Sequence, residues 1–262
     1  MGSSTALLEV RDLGVTFGSG ATANVAVEEI DLDIAAGEFI TIVGASGSGK
    51  TTLLRAIDGL IKPTTGEVRL RGELVTGPGR ERGFVFQADC LLPWRTIRDN
   101  VAFGLEVQGS PRSEARATAE EMLELTGLSG TEDQYPAELS GGMRQRVNLA
   151  RALATDPEVL LMDEPFAALD AQTKEVLQSE LLSIWEKRQK TVLFVTHQLD
   201  EAIYLADRVV VLSAGPGRIR EIVDVDMERP RPLDVKHTAE FAQRVDHVWR
   251  LIKKEVMHGR RI

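Results

Sequence analysis

The stretch "FITIVGASGSGKTTLLRAI", Phe39 to Ile57, constrains the fold more than any other part of the chain. Phe39 to Val43 is a nearly unbroken apolar run ending in glycine, the pattern of a strand buried on both faces of a parallel sheet. Leu53, Leu54 and Ile57 then recur at helical spacing, so the segment reads as strand, tight loop, helix. The loop Gly44-Ala45-Ser46-Gly47-Ser48-Gly49-Lys50-Thr51 fits the pattern G-x-x-x-x-G-K-[ST] in the context that gives the pattern meaning. Where no Cβ obstructs them, successive backbone N–H groups converge on phosphate oxygens, and the helix adds the positive end of its dipole. Lys50 is suited to neutralise the β and γ phosphates. The Thr51 hydroxyl suits Mg²⁺, a hard cation that takes oxygen ligands, and Thr52 joins it as a candidate nucleotide contact. The expected ligand is therefore a Mg-nucleotide.

The rest of the chain extends this start. "ALLEVRDLGVTF" and "VEEIDLDI" alternate apolar and polar residues, as half-buried antiparallel strands do. Residues from about 93 to 154 carry helical periodicity, notably in "SEARATAEEMLELTGL" with Ser113 as its expected cap, and read as an inserted helical lobe. Strand character returns at "EVLLMDEP", at "TVLFVTH" and at "RVVVLSAG", with helices between, which predicts a doubly wound, mostly parallel sheet. Phe241, Val245, Val248 and Ile252 predict an amphipathic helix that packs on the body. The expected organisation is one α/β domain over 7–225 and a helical extension over 226–262. "MGSS" at residues 1–4 reads as a leader and carries no weight.

Composition narrows the function classes. Lys and Arg total 31 against 40 acidic residues, a net charge of -9, which disfavours sequence-blind binding of nucleic acid. A single cysteine, Cys90, permits no internal disulfide, and no charged-then-apolar leader precedes the first strand, so a reducing, cytoplasmic location is expected. No run approaches the ~18 to 20 apolar residues that cross a bilayer, so any membrane role is expected to be peripheral.

"EVLLMDEP" places Val159 to Met162 before two adjacent carboxylates, as a buried strand does when it delivers acids to the rim of a parallel sheet. Asp163 is suited to hold Mg²⁺. Glu164, expected to point the other way on the strand, is suited to orient or deprotonate the attacking water. His197 follows "TVLFVT" and is expected at the same rim, where it could touch the γ phosphate; Gln87 follows "RGFVF", where its amide could ligate the metal and report the state of the nucleotide. Alone, a histidine there is more often structural or merely exposed, and Gln87 reads equally well as structural.

Ser140-Gly141-Gly142 precedes "MRQRVNLARALA", a packed helix, and forms a second anion-binding helix start. One phosphate loop is already complete, so this turn needs the phosphate of another molecule.

With these motifs in place, the chain resembles the nucleotide-binding subunits of ABC transporters. The likeness covers residues of about 7 to 225 and rests on the phosphate loop, Gln87, "LSGGM" at Leu139 to Met143, "LLMDE" ending at Glu164, "ALD" ending at Asp170, and His197. It implies the ABC ATPase fold: a P-loop NTPase core with a mostly parallel sheet, an antiparallel β subdomain and an inserted α-helical subdomain. It also implies that two copies form a head-to-tail sandwich in which Ser140, Gly141, Gly142 and Asp170 help close the ATP held by the opposite phosphate loop. The family's adenine-stacking aromatic falls near "VTFGSG", where Phe17 is the candidate; an aromatic there also fits a core. Met143 replaces the usual final glutamine of the signature, which removes a polar contact and leaves the serine and both glycines.

"GPGRERGFVFQADCLLPWRTIRDNVAFGLE" and "LSAGPGRIREIVDVDMERPRP" resemble the ATPase subunits of importers for nitrate, sulfonates and taurine. That implies integral membrane permease subunits as partners, an indirect link to a solute-binding protein, and a location on the cytoplasmic face of the membrane. Leu91, Leu92 and Trp94 are expected either to receive a membrane subunit or to pack within the helical lobe. A soluble ABC ATPase acting on nucleic acid or ribosomes, an exporter subunit, and a P-loop kinase are the rival readings. Heptads or a second motif set would favour the first; the signature turn is unexplained by the last.

Overall fold

The structure, a computed structural model, describes residues 6–259; the "MGSS" leader lies outside them. The chain divides into two compact units, one of residues up to Gly79 with Thr191 onward, the other Arg80–Lys190.

The first unit holds two sheets. β1 (Leu8–Phe17) and β2 (Asn24–Ile34) pair antiparallel, as their alternation predicts, with Leu8 opposite Ile34 and Phe17 opposite Asn24. After β3 (Phe39–Gly44) and α1 (Lys50–Asp58), β4 (Thr65–Leu70) and β5 (Glu73–Leu74) extend that sheet in the order β2-β1-β4-β5. In the second unit β6 (Arg82–Val85) leads into α2 (Ile97–Val107), α3 (Arg112–Leu125) and α4 (Gly141–Ala154), then β7 (Val159–Asp163) and α5 (Ala171–Arg188). β6 and β7 pair in parallel, with Val85 opposite Met162. Back in the first unit come β8 (Thr191–Val195), α6 (Leu199–Leu205), β9 (Arg208–Leu212), β10 (Ile219–Asp224) and α7 (Ala239–Gly259).

β3 is the core of the first unit. All six of its residues are buried, and it pairs in parallel with β8 on one side and β9 on the other. Five of them are apolar or threonine with branched or aromatic side chains, and burying each large one contributes roughly 1.5–3 kcal/mol. That is enough to make the strand a rigid base for the loop after it. β10 closes the edge antiparallel to β9. α7 packs Phe241, Val248, Leu251 and Ile252 inward and contacts α6 and β9, while Val245 is only half-buried.

Two local expectations are corrected. Ser113 does not cap α3: the helix starts at Arg112 with Pro111 at the cap, whose carbonyl accepts the first helical bond from the Ala115 N–H at 2.9 Å. Proline's fixed φ suits a helix start, so the serine falls inside the first turn. Glu164 is not on the strand: β7 ends at Asp163, and Glu164 turns into the left-handed region at φ 46°. The following Pro165 has no N–H to give to a ladder, so pairing ends here.

Candidate functional site

The phosphate loop is shaped by what surrounds its glycines. Gly49 has φ +83°, and a Cβ there would lie 2.4 Å from Val27 Cγ1 and 2.6 Å from the Ala26 carbonyl on β2. Only glycine fits. Gly47 also has positive φ but faces open space, which leaves its backbone free for a ligand to approach. The Ser48 N–H closes the turn on the Ala45 carbonyl at 3.2 Å. Lys50 is buried and folded back over this loop, its Nζ donating to the carbonyls of Gly44 and Ala45 at 3.0 Å each and to Ser48 Oγ at 3.5 Å. The loop's own oxygens thus fix the ammonium in place. α1 then begins at a glycine cap with no side-chain cap bond, leaving its first N–H groups to be satisfied otherwise, with Thr51 and Thr52 half-buried in that turn. An open backbone concavity, a fixed cation and an uncapped helix start fit a nucleotide phosphate chain.

Two more of the candidate residues lie in the same unit. The Thr196 N–H donates to the Ile42 carbonyl at 3.2 Å, so the chain leaving β8 lies beside the carboxyl end of β3, and exposed His197 is the next residue. Its turn is pinned: Thr196 Oγ1 donates to buried Glu201 and accepts from the Gln198 N–H at 3.0 Å. Phe17 ends β1 with 45% of its surface exposed, so core packing does not account for it. Its cross-strand partner is Asn24, two residues from the Ala26 against which Gly49 packs.

The second unit presents a separate group. Ser140 is exposed, caps α4 and accepts from the Met143 N–H at Oγ, 3.3 Å, so the methionine keeps the backbone contact of the signature turn. Gly141 meets nothing closer than Leu169 Cδ2 at 3.8 Å, whereas a Cβ on Gly142 would lie 2.7 Å from Thr173 Cγ2. Thr173 is in turn held by Asp170, the cap of α5, whose carboxylate accepts from Thr173 N at 3.0 Å and Oγ1 at 2.7 Å. Those bonds, first from the backbone N–H, hold the Asp170 carboxyl below its usual range. The structure therefore brings Ser140, Gly141 and Gly142 together with Asp170. Asp163 is buried at the carboxyl end of β7, and Glu164 beyond it is half-buried. A hydroxyl on Thr51, an amide oxygen on exposed Gln87 and a carboxylate on Asp163 are all hard oxygen donors, the chemistry Mg²⁺ takes.

Three residues escaped sequence reasoning. Arg144, Asn148 and Arg151 form a polar stripe on α4 that grips the loop after β6. Arg144 Nε donates to Asp89 Oδ2 at 2.8 Å, Asn148 Nδ2 to the Phe86 carbonyl at 3.2 Å, and Arg151 to the carbonyls of Asp89 and Cys90 at 2.9 and 2.8 Å. Burial lowers the pKa of Arg151, against the pull of Asp89. Gln87 stands inside this gripped segment. The signal is a spacing of four and three among three of the helix's polar residues.

Comparison with known proteins agrees with these motifs. A family profile described as "ABC transporter" matches residues 27–167. The nitrate import ATP-binding protein of Synechocystis sp. is 47% identical over 252 residues, covering 94% of this chain and 95% of its own. The taurine import ATP-binding protein of Pseudomonas syringae pv. tomato is 49% identical over 224 residues, covering 86% and 85%. Among solved structures, a dimeric ATP-binding cassette in a post-hydrolysis state bound to ADP and Pi is 33% identical with a TM-score of 0.75, covering 84% of this chain and 100% of that one. With a glycine-rich phosphate loop in one unit and a signature turn in the other, the chain belongs to the ABC transporter family.

Proposed function

We propose that the chain is the ATP-hydrolysing subunit that powers import of a small anion through a separate membrane permease, two copies acting together on two ATP molecules. The observation that carries this reading is the pair of anion-receiving helix starts in one chain: α1 below a loop that fixes Lys50, and α4 behind the exposed Ser140-Gly141 turn. One copy has a cradle and a lid. The dimeric cassette bound to ADP and Pi supports pairing the cradle of one copy with the lid of the other.

In this reading the backbone of Gly44 to Gly49 and the Lys50 ammonium hold the β and γ phosphates, and Phe17 stacks on the base. Mg²⁺, when bound with the nucleotide, supplies a hard positive charge against the phosphate oxygens, with Thr51, Gln87 and Asp163 as its side-chain donors. Glu164, the residue just beyond the end of β7, takes the proton of the attacking water. His197 contacts the γ phosphate. Ser140 and Gly142 reach that phosphate from the second copy, so its loss removes the contacts that keep the pair closed. A ligand shifts an equilibrium only by its differential affinity, and nearly complete closure asks about 5 kcal/mol of the γ phosphate.

Relatives named for nitrate and for taurine import lie at similar identity, which supports a small anion as the solute class while leaving its identity to the permease and a solute-binding protein. No helix among the described residues is long and apolar enough to cross a membrane. In the importer reading the ATPase sits against the permease at the inner face of the membrane. Trp94, 72% exposed beside half-buried Leu91 and Leu92, offers that permease an apolar contact.

The test is Glu164→Gln. It should bind ATP like the parent, lose turnover by about 10²- to 10⁴-fold, and accumulate an ATP-dependent dimer in size-exclusion chromatography with light scattering. Normal turnover in this variant would overturn the assignment.

A further inference from the structure

The segment "SAGPGR", Ser213 to Arg218, follows β9 and has no part in the reaction described above. It is a closed turn. The Ser213 N–H donates to the Arg218 carbonyl at 2.9 Å, Ser213 Oγ donates to the Pro216 carbonyl at 3.0 Å, and the Arg218 N–H returns to Ser213 Oγ at 3.0 Å. The turn is stitched to β2: the Gly217 N–H donates to the Ala26 carbonyl and the Glu28 N–H to the Gly217 carbonyl, both at 3.0 Å. Arg218 closes over the outside, donating to Glu28 Oε1 at 2.9 Å and pairing with Glu29.

We propose that this turn is a brace that positions the phosphate loop for nucleotide, acting through the peptide between Ser48 and Gly49. Gly217 lies against that peptide so closely that a Cβ on it would sit 2.1 Å from the Ser48 carbonyl oxygen, and one on Gly215 would sit 3.7 Å from the Gly47 carbonyl oxygen. In a planar trans peptide the C=O and the following N–H point in opposite directions. With the Ser48 carbonyl turned toward Gly217, the Gly49 N–H is turned away from the brace. Val27 Cγ1 and the Ala26 carbonyl meet both Gly49 and Gly217, so the loop, β2 and the turn pack together. Gly217 and Arg218 are thus positioning residues. They touch no nucleotide, and their effect passes through the direction of one backbone donor.

The inference rests on the nucleotide reading, and the experiment separates the two. Binding of ADP with Mg²⁺ is measured by calorimetry for the parent and for Gly217→Ala, with the melting temperature of each nucleotide-free protein. The methyl group meets a backbone oxygen, not the end of a flexible side chain, so the Ser48–Gly49 peptide must move; Kd should rise about tenfold. Gly77→Ala, whose Cβ meets nothing within 4 Å, serves as the matched control and should bind like the parent. Arg218→Ala, which removes only the outer clasp, should weaken binding about threefold at unchanged melting temperature, and Arg218→Lys should restore most of it. It supplies the readout if Gly217→Ala does not fold. A parent that binds ADP while Gly217→Ala, or in its place Arg218→Ala, binds equally well overturns the brace. A parent that binds no ADP overturns the nucleotide reading and the brace with it.

Discussion

Arg144 and Asp89 form an ion pair, Nε to Oδ2 at 2.8 Å, while the same guanidinium donates from Nη1 to the Leu139 carbonyl at 2.6 Å. Asp89 is two residues beyond Gln87, and Leu139 is one residue before Ser140. A single side chain therefore joins the segment proposed to sense metal and permease to the turn proposed to reach the second copy.

The joint should matter more for turnover than for stability. Both partners are about one-third exposed, and such a pair contributes about 1 kcal/mol or less to the fold after solvent screening. Asp89→Ala is expected to lower steady-state ATPase activity about three- to tenfold while the melting temperature changes little. The charge exchange Asp89→Arg with Arg144→Asp should recover part of the loss, because the tie is restored in reverse polarity. Parent-like turnover in Asp89→Ala would remove this joint from the mechanism.

The parts legible in the sequence are those with a local period or a local steric demand. β3 and the phosphate loop declare themselves through an apolar run and glycine, and Asp163 through a buried strand that ends in acid. β10 was not anticipated, since its residues from Ile219 to Asp224 alternate between half-buried and exposed, and it depends on pairing with β9. Gly142 was read for an anion, yet it is equally demanded by Thr173 Cγ2, a contact set by the packing of α4 on α5. Glu164 was placed on the wrong side of the end of β7, because the left-handed turn before Pro165 leaves no periodic trace. The grip of Arg144, Asn148 and Arg151 on residues near 86–90 spans more than fifty residues of chain, so only the stripe, and not its partner, was open to reading.

A pH dependence follows from Asp170. Its carboxylate accepts from the Thr173 N–H and hydroxyl, which lowers its pKa, so the folded state binds the proton less readily than the unfolded chain. The stabilisation is fully present above the unfolded carboxylate value, about 4, and fades as pH falls through the lower folded value. Melting temperatures of the parent and Asp170→Ala should therefore differ most near neutral pH and approach one another in acid. A gap that widens as pH falls would contradict the cap.

Arg231 should be costly to lose although it touches no part of the nucleotide loop. It is 5% exposed, and its guanidinium donates to the carbonyls of Ile203, Tyr204 and Ala206 from Nη1 and of Val225 and Met227 from Nη2, at 2.7 to 3.3 Å. Ile203 and Tyr204 lie in the last turn of α6 and Ala206 caps it, where carbonyls lack helical partners and the dipole favours a cation. Burial pushes its pKa down to about 10, which still leaves it charged at neutral pH. Two effects oppose each other on replacement. Removing a buried cation recovers its desolvation cost, but the carbonyls of Ile203, Tyr204, Ala206 and Met227 lose the arginine's N–H groups while that of Val225 keeps the Met227 N–H at 2.8 Å, and each buried polar group left unsatisfied costs about 1–3 kcal/mol. The second effect wins by number, so Arg231→Met should destabilise the chain by about 2–4 kcal/mol in urea unfolding. Tyr204→Phe, which removes the hydroxyl that donates to the Arg231 carbonyl at 3.0 Å, should cost about 1 kcal/mol at the same site. Because α6 starts at Leu199, just after His197, the Arg231 variant should also lower ATPase activity at temperatures where it remains folded. An Arg231→Met protein as stable as the parent would mean that water satisfies those carbonyls and that the arginine does not hold the end of α6.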